Sequence, residues 1–130
     1  SREAAVSIQH TVAVCFLFGA AGVAQYADAC VQDPEVRALG GKVSVADDPS
    51  IAVDAARVQV NLRDGRSLEE FVAHATGSLA RPLTDAALEE KVRSLAEWVR
   101  WPGSVDALID AVWRFDQAPD SAAFLRLIAG

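Results

Sequence analysis

The sequence contains two histidines, His10 and His74, which are the side chains best suited to moving a proton near neutral pH. His10 follows Ser7 and Gln9 at the start of an uncharged run, and His74 lies in an alternating stretch. A neutral imidazole at a helix start can donate a proton or hold a carboxylate. The alternative is that both histidines have only structural roles. His10 would then bond to a nearby backbone carbonyl, and His74 would pack on a strand face or be exposed to solvent. The residues alone favour the structural interpretation of both histidines.

The spacing of the other reactive residues predicts no metal site and no facing pair of nucleophile and base. The two histidines stand 64 positions apart, and Cys15 and Cys30 are the only cysteines, so the spacing of zinc ligands is missing. Cys15 follows His10 by about 140° around a helix, so the two would not face each other. Glu69-Glu70 and Glu89-Glu90 are adjacent pairs typical of solvated faces. Glycine-rich phosphate loops are absent as well, and we predict no cofactor.

Length and composition indicate one modest domain or a piece of one. The chain has 130 residues, a hydrophobic fraction of 52% and a formal net charge of −6. The acidic balance argues against nucleic acid and against anionic membrane surfaces as partners. Two cysteines make no disulfide framework, which favours a cytoplasmic setting. There is no methionine, so Ser1 is not an initiator residue, and we expect the chain to be part of something longer.

The stretch Thr11–Ala24 is uncharged and raises the question of a membrane span or an export signal. Its 14 residues fall short of the roughly 18–20 that cross a bilayer. A signal peptide is the closer alternative because Arg2 precedes the run, but the polar residues around it fit such a segment poorly. We therefore predict a buried helix from about Glu3 to Phe18, apolar on most sides, with Cys15 as a small buried side chain and Gly19 at its end.

Caps and apolar spacing predict five further helical regions. They are a short helix over Val23–Val31, a helix begun by Asp33-Pro34 and closed at Leu39, and a helix capped by Thr84 with an apolar stripe over Leu88, Val92, Leu95 and Val99. The other two are a helix capped by Ser104 and a last short one from Asp120 through Ile128.

Between the helices, alternation with a period of two predicts three strands. Val43 and Val45 mark a short one, and Arg57–Arg63 forms a clean amphipathic one. Asp64-Gly65 supplies a two-residue hairpin turn, and Ser67–Ala75 returns as the partner strand. The fold class is therefore α+β, a small antiparallel sheet of about three strands packed with flanking helices, in a single domain over residues 1–130.

Several local motifs follow one another in a characteristic order. They are Ser7-Ile8-Gln9-His10 before TVAVCFLFGAAG, Asp33-Pro34-Glu35-Val36-Arg37-Ala38-Leu39 before Lys42-Val43-Ser44-Val45, Ala56-Arg57-Val58-Gln59-Val60 before Leu62-Arg63-Asp64-Gly65-Arg66, and Arg81-Pro82-Leu83-Thr84-Asp85. Together, over about residues 5–100, they resemble the MmgE/PrpD family.

The resemblance implies that this chain is the carboxy-terminal α+β portion, helping to close the active site, of a longer enzyme with a large helical domain. Such enzymes act on small di- or tricarboxylates, next to a carboxylate, by dehydration, decarboxylation or epimerisation. It implies a catalytic role for His10, where relatives place Tyr or His facing the substrate, and substrate contacts for Ser7 and Gln9. The family's lysine and most of its histidines lie in an earlier region, so the piece alone is expected to be inactive.

The resemblance also implies a cytoplasmic homodimer whose partners are the carboxylate substrate and the remainder of the parent chain. The alternative is a dimerisation or interaction module without catalysis, derived from the same fold. The sequence does not choose among the acids or among the three reactions.

Overall fold

The structure is a computed structural model that describes residues 6–129. These residues combine helices with a two-stranded antiparallel sheet, as the predicted α+β class requires. In chain order the elements are α1 (Ile8–Phe18), a 3-10 helix (Val23–Tyr26), α2 (Asp28–Val31), α3 (Pro34–Gly40), β1 (Ala56–Asn61), β2 (Ser67–Val72), α4 (Asp85–Trp98), α5 (Val105–Trp113), a second 3-10 helix (Phe115–Gln117) and α6 (Ala122–Ala129).

Contacts divide the chain into two compact units. The described residues up to Ala46, together with those from Val92 onward, form the first unit, and Asp47–Lys91 form the second. Within the described part of the chain, the buried apolar side chains all belong to the first unit. They are Ala13, Val14, Val36, Ala96 and Ile109.

Local capping chemistry sets both ends of α1. The Ser7 hydroxyl accepts a hydrogen bond from the His10 N–H at 3.2 Å, so α1 begins at Ile8. Residues 3–5 of the predicted start lie outside the described residues. Gly19 ends the helix in the left-handed region, with φ of 67°, and its N–H donates to the carbonyl of Cys15 at 2.9 Å.

The core of the first unit forms where α1 meets α3. Asp33 caps α3 by accepting from the Glu35 and Val36 N–H groups, as predicted. This places Val36 against Ala13 and Val14, and all three are almost fully buried. Burying these methyl groups is the main stabilising contribution at this contact, because apolar area leaves water.

Only one face of α1, the helix predicted to be apolar on most sides, is covered by the described residues. Phe16 and Phe18 remain 57% and 51% exposed. Cys15 is exposed too, so its predicted burial is wrong. The reason is geometric: Cys15 follows the buried Val14 by about 100° around the helix and therefore points away from α3.

The region Val23–Val31 forms two short elements where one helix was predicted. A 3-10 helix ends at Tyr26, and Ala27 is extended with ψ of 150° before α2 begins. The extended residue interrupts the helical hydrogen-bond ladder, so the two elements cannot merge.

The two strands pair antiparallel from Ala56↔Val72 to Asn61↔Ser67. Their connection differs from the predicted two-residue Asp64-Gly65 turn. The Leu62 carbonyl accepts from the Gly65 N–H at 3.2 Å, and the Leu62 N–H donates to the Arg66 carbonyl at 2.8 Å, which makes a three-residue loop. Gly65, with φ of 87°, takes the left-handed position that such a loop requires.

The predicted third strand at Val43 and Val45 is wrong. The Val43 N–H donates to the Gly40 carbonyl at 3.1 Å, as part of the turn that leaves α3. Val45 is half-exposed, and the segment has no regular strand structure. Two alternating valines are too short a pattern to hold a strand without a partner for its backbone groups.

The predicted caps of the later helices are confirmed. Thr84 and Ser104 accept from the N–H groups three residues on, each at 3.2 Å. The Asp120 carboxylate accepts from the Ala122 N–H at 2.7 Å at the start of α6. In residues 6–129 we find no helix that combines the length and apolarity needed to cross a membrane.

Candidate functional site around His10

The candidate site lies in the first unit, where the first turn of α1 meets the 3-10 helix Val23–Tyr26. His10 is the one buried polar residue among those described, with 9% of its surface exposed. Its backbone N–H belongs to the Ser7 cap, which fixes the turn from which the ring projects. The ring is thereby directed towards Gln25 and Tyr26, 15 and 16 positions further along the chain.

Two contacts hold the His10 ring. Nε2 lies 2.8 Å from the backbone carbonyl oxygen of Gln25, and the ring centroid lies 5.3 Å from that of Tyr26 at a tilt of 53°. No buried side-chain nitrogen or oxygen in the described chain lacks a hydrogen-bond partner. Nδ1 of His10, for which we find no partner among the described residues, therefore keeps some exposure to solvent.

Ser7 and Gln9, the predicted substrate contacts, lie beside His10 at the helix start. The Ser7 hydroxyl donates to the Gln9 side-chain oxygen at 3.3 Å while it caps the His10 N–H. Gln9 is exposed, and its amide group has two further donors that this bond does not use. The structure thus brings the three predicted site residues together on one turn.

Thr11 and Tyr26 extend this arrangement and were missed by the sequence analysis. The Thr11 hydroxyl donates to the Ser7 carbonyl at 3.0 Å and lies 2.9 Å from the Tyr26 hydroxyl. Nothing local marks these residues, because the contact joins positions 15 apart. Tyr26 is the single tyrosine of the chain, which is the one signal that could have drawn attention to it.

The hydrogen bond from His10 to the Gln25 carbonyl is the contact expected if His10 had only a structural role. It does not exclude a chemical role, because it occupies only one of the two ring nitrogens. A buried imidazole with one bonded nitrogen and one unbonded nitrogen is an arrangement that general acid–base catalysis uses.

His74 lies in the second unit, two residues beyond the end of β2 at Val72, although the predicted strand Ser67–Ala75 included it. Its Nδ1 is 3.0 Å from a carboxylate oxygen of Asp54. This hydrogen bond lowers the pKa of Asp54 below the usual value of 3.8. The two residues form a surface ion pair when His74 is protonated, and half of the His74 side chain is exposed.

Within residues 6–129, no three side chains of His, Cys, Asp or Glu lie close enough together to hold a metal ion.

Sequence comparison gives the family. The profile of the MmgE/PrpD C-terminal domain matches residues 1–117. The chain therefore belongs to the MmgE/PrpD C-terminal domain family, as its motifs predicted.

Sequence comparison also finds individual proteins that are similar to this chain. The chain is 26% identical to the cis-aconitate decarboxylases of Mus musculus and Homo sapiens over 133 aligned residues, which cover 99% of this chain. It is 36% identical to the 2-methylcitrate dehydratase of Cupriavidus necator over 74 residues, or 50% of this chain. The alignments span 27%, 28% and 15% of these relatives, so the chain corresponds to about a quarter of the length of the first two.

Proposed function

We propose that the protein carrying this chain is a lyase or isomerase that moves a proton next to a carboxylate in a small di- or tricarboxylic acid, without a redox cofactor. The observation that carries the proposal is the His10 arrangement in a chain of this family: a buried ring with one nitrogen bonded and the other unbonded. Two relatives named for a decarboxylation and a dehydration support the reaction class.

Such a reaction needs a group that takes up and returns a proton, and groups that hold the carboxylates. A carbon next to a carboxylate loses its proton only when the resulting charge is stabilised and a base stands within reach. In the proposal His10 is that proton carrier. The exposed amide of Gln9 donates to a substrate carboxylate, and Ser7 holds both residues in place through the bonds it makes to them.

The rest of the site is proposed to come from other parts of the protein. Within residues 6–129 His10 has no cationic neighbour among its hydrogen-bond and ring contacts. Carboxylate substrates need cationic partners. We therefore propose that the remainder of the parent chain supplies them, that this segment helps to close the site, and that the isolated piece is inactive.

A second candidate is an interaction module without catalysis, in which the same surface serves assembly. The exposed apolar side chains of α1, Phe16 and Phe18, favour contact with other protein in either case. In the enzyme that contact is made with the rest of the chain or with a second copy in a cytoplasmic homodimer.

Turnover of the acids in the relatives' names tests the proposal. The full-length protein is incubated with cis-aconitate and, separately, with 2-methylcitrate, and loss of carbon dioxide or water is followed by NMR. We expect one of the two reactions, or epimerisation of a related acid, and its loss in His10→Gln. His74→Gln is the matched control and should keep the activity. Failure of the wild-type protein on every acid would favour the interaction module.

A further inference from the structure

We infer that the Gln25 carbonyl holds His10 in the tautomer with hydrogen on Nε2, so that His10 exchanges protons through Nδ1, and that Tyr26 and Thr11 are the positioning residues of this arrangement. The inference about the tautomer stands on geometry alone. Its meaning for catalysis rests on the proposed function.

The tautomer follows from the partner of Nε2. A backbone carbonyl oxygen only accepts hydrogen bonds, so at 2.8 Å Nε2 must be the donor. A neutral imidazole carries a single ring hydrogen, and here it lies on Nε2. The lone pair is then on Nδ1, which has no partner among the described residues.

The carbonyl that fixes the tautomer is itself held by a local turn. Gln25 sits in the 3-10 helix Val23–Tyr26, and its side-chain oxygen accepts from the Gly22 N–H at 2.9 Å. The Gln25 N–H in turn donates to the Gly22 carbonyl at 3.1 Å. Gln25 therefore closes the turn from both its backbone and its side chain, which orients its carbonyl towards His10.

A chain of hydroxyl groups ties this turn to α1. The Thr11 hydroxyl has one hydrogen and donates it to the Ser7 carbonyl at 3.0 Å. The bond of 2.9 Å between Thr11 and the Tyr26 hydroxyl must then run from Tyr26 to Thr11. The Tyr26 ring also lies against His10. Tyr26 thus joins the 3-10 helix to the residue that follows His10 and limits rotation of the imidazole.

This arrangement specifies the proton transfer. In the forward step the Nδ1 lone pair takes the proton from the carbon next to the substrate carboxylate. The carbon–hydrogen bond breaks, its electron pair stays on the substrate, and His10 becomes an imidazolium with hydrogen on both nitrogens. The return step delivers the proton from Nδ1, because Nε2–H remains bonded to the Gln25 carbonyl throughout.

Nitrogen NMR of the histidine side chains tests the inference directly. Long-range ¹⁵N–¹H correlation spectra of the full-length protein are recorded at a pH where the imidazoles are neutral, and His10 is assigned by its loss in His10→Gln. We expect a protonated Nε2 and an unprotonated Nδ1 for His10. His74 is an internal reference with the opposite tautomer, because the Asp54 carboxylate accepts from its Nδ1.

Two variants test the positioning residues. Tyr26→Phe keeps the aromatic ring and removes the hydroxyl group. Thr11→Val removes the hydroxyl group that accepts the hydrogen bond from Tyr26. In both variants we expect the His10 nitrogen signals to move towards an average of the two tautomers. The rate constant kcat should fall about tenfold or more, with a smaller change in KM, because the proton transfer is disturbed more than substrate binding. Thr76→Val, at an exposed threonine, is the matched control and should leave the spectrum unchanged.

The outcomes separate the two claims. A His10 with hydrogen on Nδ1, or with averaged tautomers in the wild-type protein, would overturn the inference whatever the activity. If His10 has the expected tautomer but the protein acts on none of the acids, the inference about the tautomer is supported and the proposed function is contradicted. An unchanged His10 spectrum in both Tyr26→Phe and Thr11→Val would remove the positioning role.

Discussion

His10 and His74 carry the same imidazole, but their partners give them different properties. His10 is buried and donates from Nε2 to a backbone carbonyl, whereas His74 is half-exposed and donates from Nδ1 to the carboxylate of Asp54. The sequence predicted the grouping of Ser7, Gln9 and His10, because the three lie on one helical turn. It could not predict Gln25 or Tyr26, because the contacts that bring them to His10 depend on the path of the chain after α1.

The Asp54–His74 pair should make the free energy of unfolding depend on pH. The pKa of Asp54 is lowered in the folded protein, chiefly by the hydrogen bond from His74, so the ionised form is favoured by folding. The stabilisation is therefore present above the usual value of 3.8 and is lost as the pH falls through the lower folded pKa. The difference in the free energy of unfolding between wild type and Asp54→Asn, measured by denaturant titration, should shrink as the pH is lowered from neutral to below that value.

Asp47→Asn is the control for this effect, since Asp47 is exposed in the same unit. A wild-type advantage over Asp54→Asn that stays constant across the acid range would show that the pair contributes nothing through ionisation.

At the scale of single elements, the predictions succeeded where a few adjacent residues decide the structure. Ser7, Asp33, Thr84 and Ser104 each cap a helix through bonds that reach no more than three residues. They failed where the outcome depends on distant partners. The strand at Val43 and Val45 found no neighbour, and the burial of α1 is decided by which face meets α3.

The contact between α1 and α3 should be sensitive to side-chain volume. Val14 is fully buried there, so Val14→Ala removes two buried carbon atoms and should lower the free energy of unfolding by about 2 kcal/mol. Val53→Ala makes the same chemical change at a fully exposed position and should cost less than about 0.5 kcal/mol. Chemical denaturation of both variants gives the comparison, and equal costs would contradict the described core.

The hairpin loop should depend on the glycine at its end. Gly65 has φ of 87°, where a side chain is strained, so Gly65→Ala should destabilise the protein by about 1 kcal/mol. Gly41→Ala is the matched control, because Gly41 has φ of −65° and an added methyl group would meet only ordinary contacts. Thermal unfolding should show a lower Tm for Gly65→Ala alone. A similar Tm for both variants would contradict the three-residue loop.

At the scale of the whole molecule, the order of the sequence motifs identifies the protein's family, whereas the small buried core does not. The order of motifs from Ser7 to Asp85 predicted the family, and the family comparison confirms it. The described residues bury few apolar side chains and expose large ones such as Phe16, Phe18 and Trp113. The residue pattern alone does not predict which apolar side chains are covered, because burial depends on contacts between positions far apart in the sequence. We propose that His10 of this chain carries the chemistry and that the remainder of the parent chain supplies the rest of the site.

The most direct test of that account is hydrogen exchange in deuterated buffer. The full-length protein is incubated with citrate-like, aconitate-like and succinate-like acids, and NMR follows deuterium entering at carbons next to carboxylates. Wild type, His10→Ala and His74→Ala are compared at equal concentration and equal folded fraction.

We predict that wild type exchanges at least one acid, that His10→Ala is slower by about 100-fold or more, and that His74→Ala keeps the wild-type rate. Exchange that is equally fast in His10→Ala and wild type, or that is absent with every acid, would contradict the central claim that His10 moves a proton next to a carboxylate.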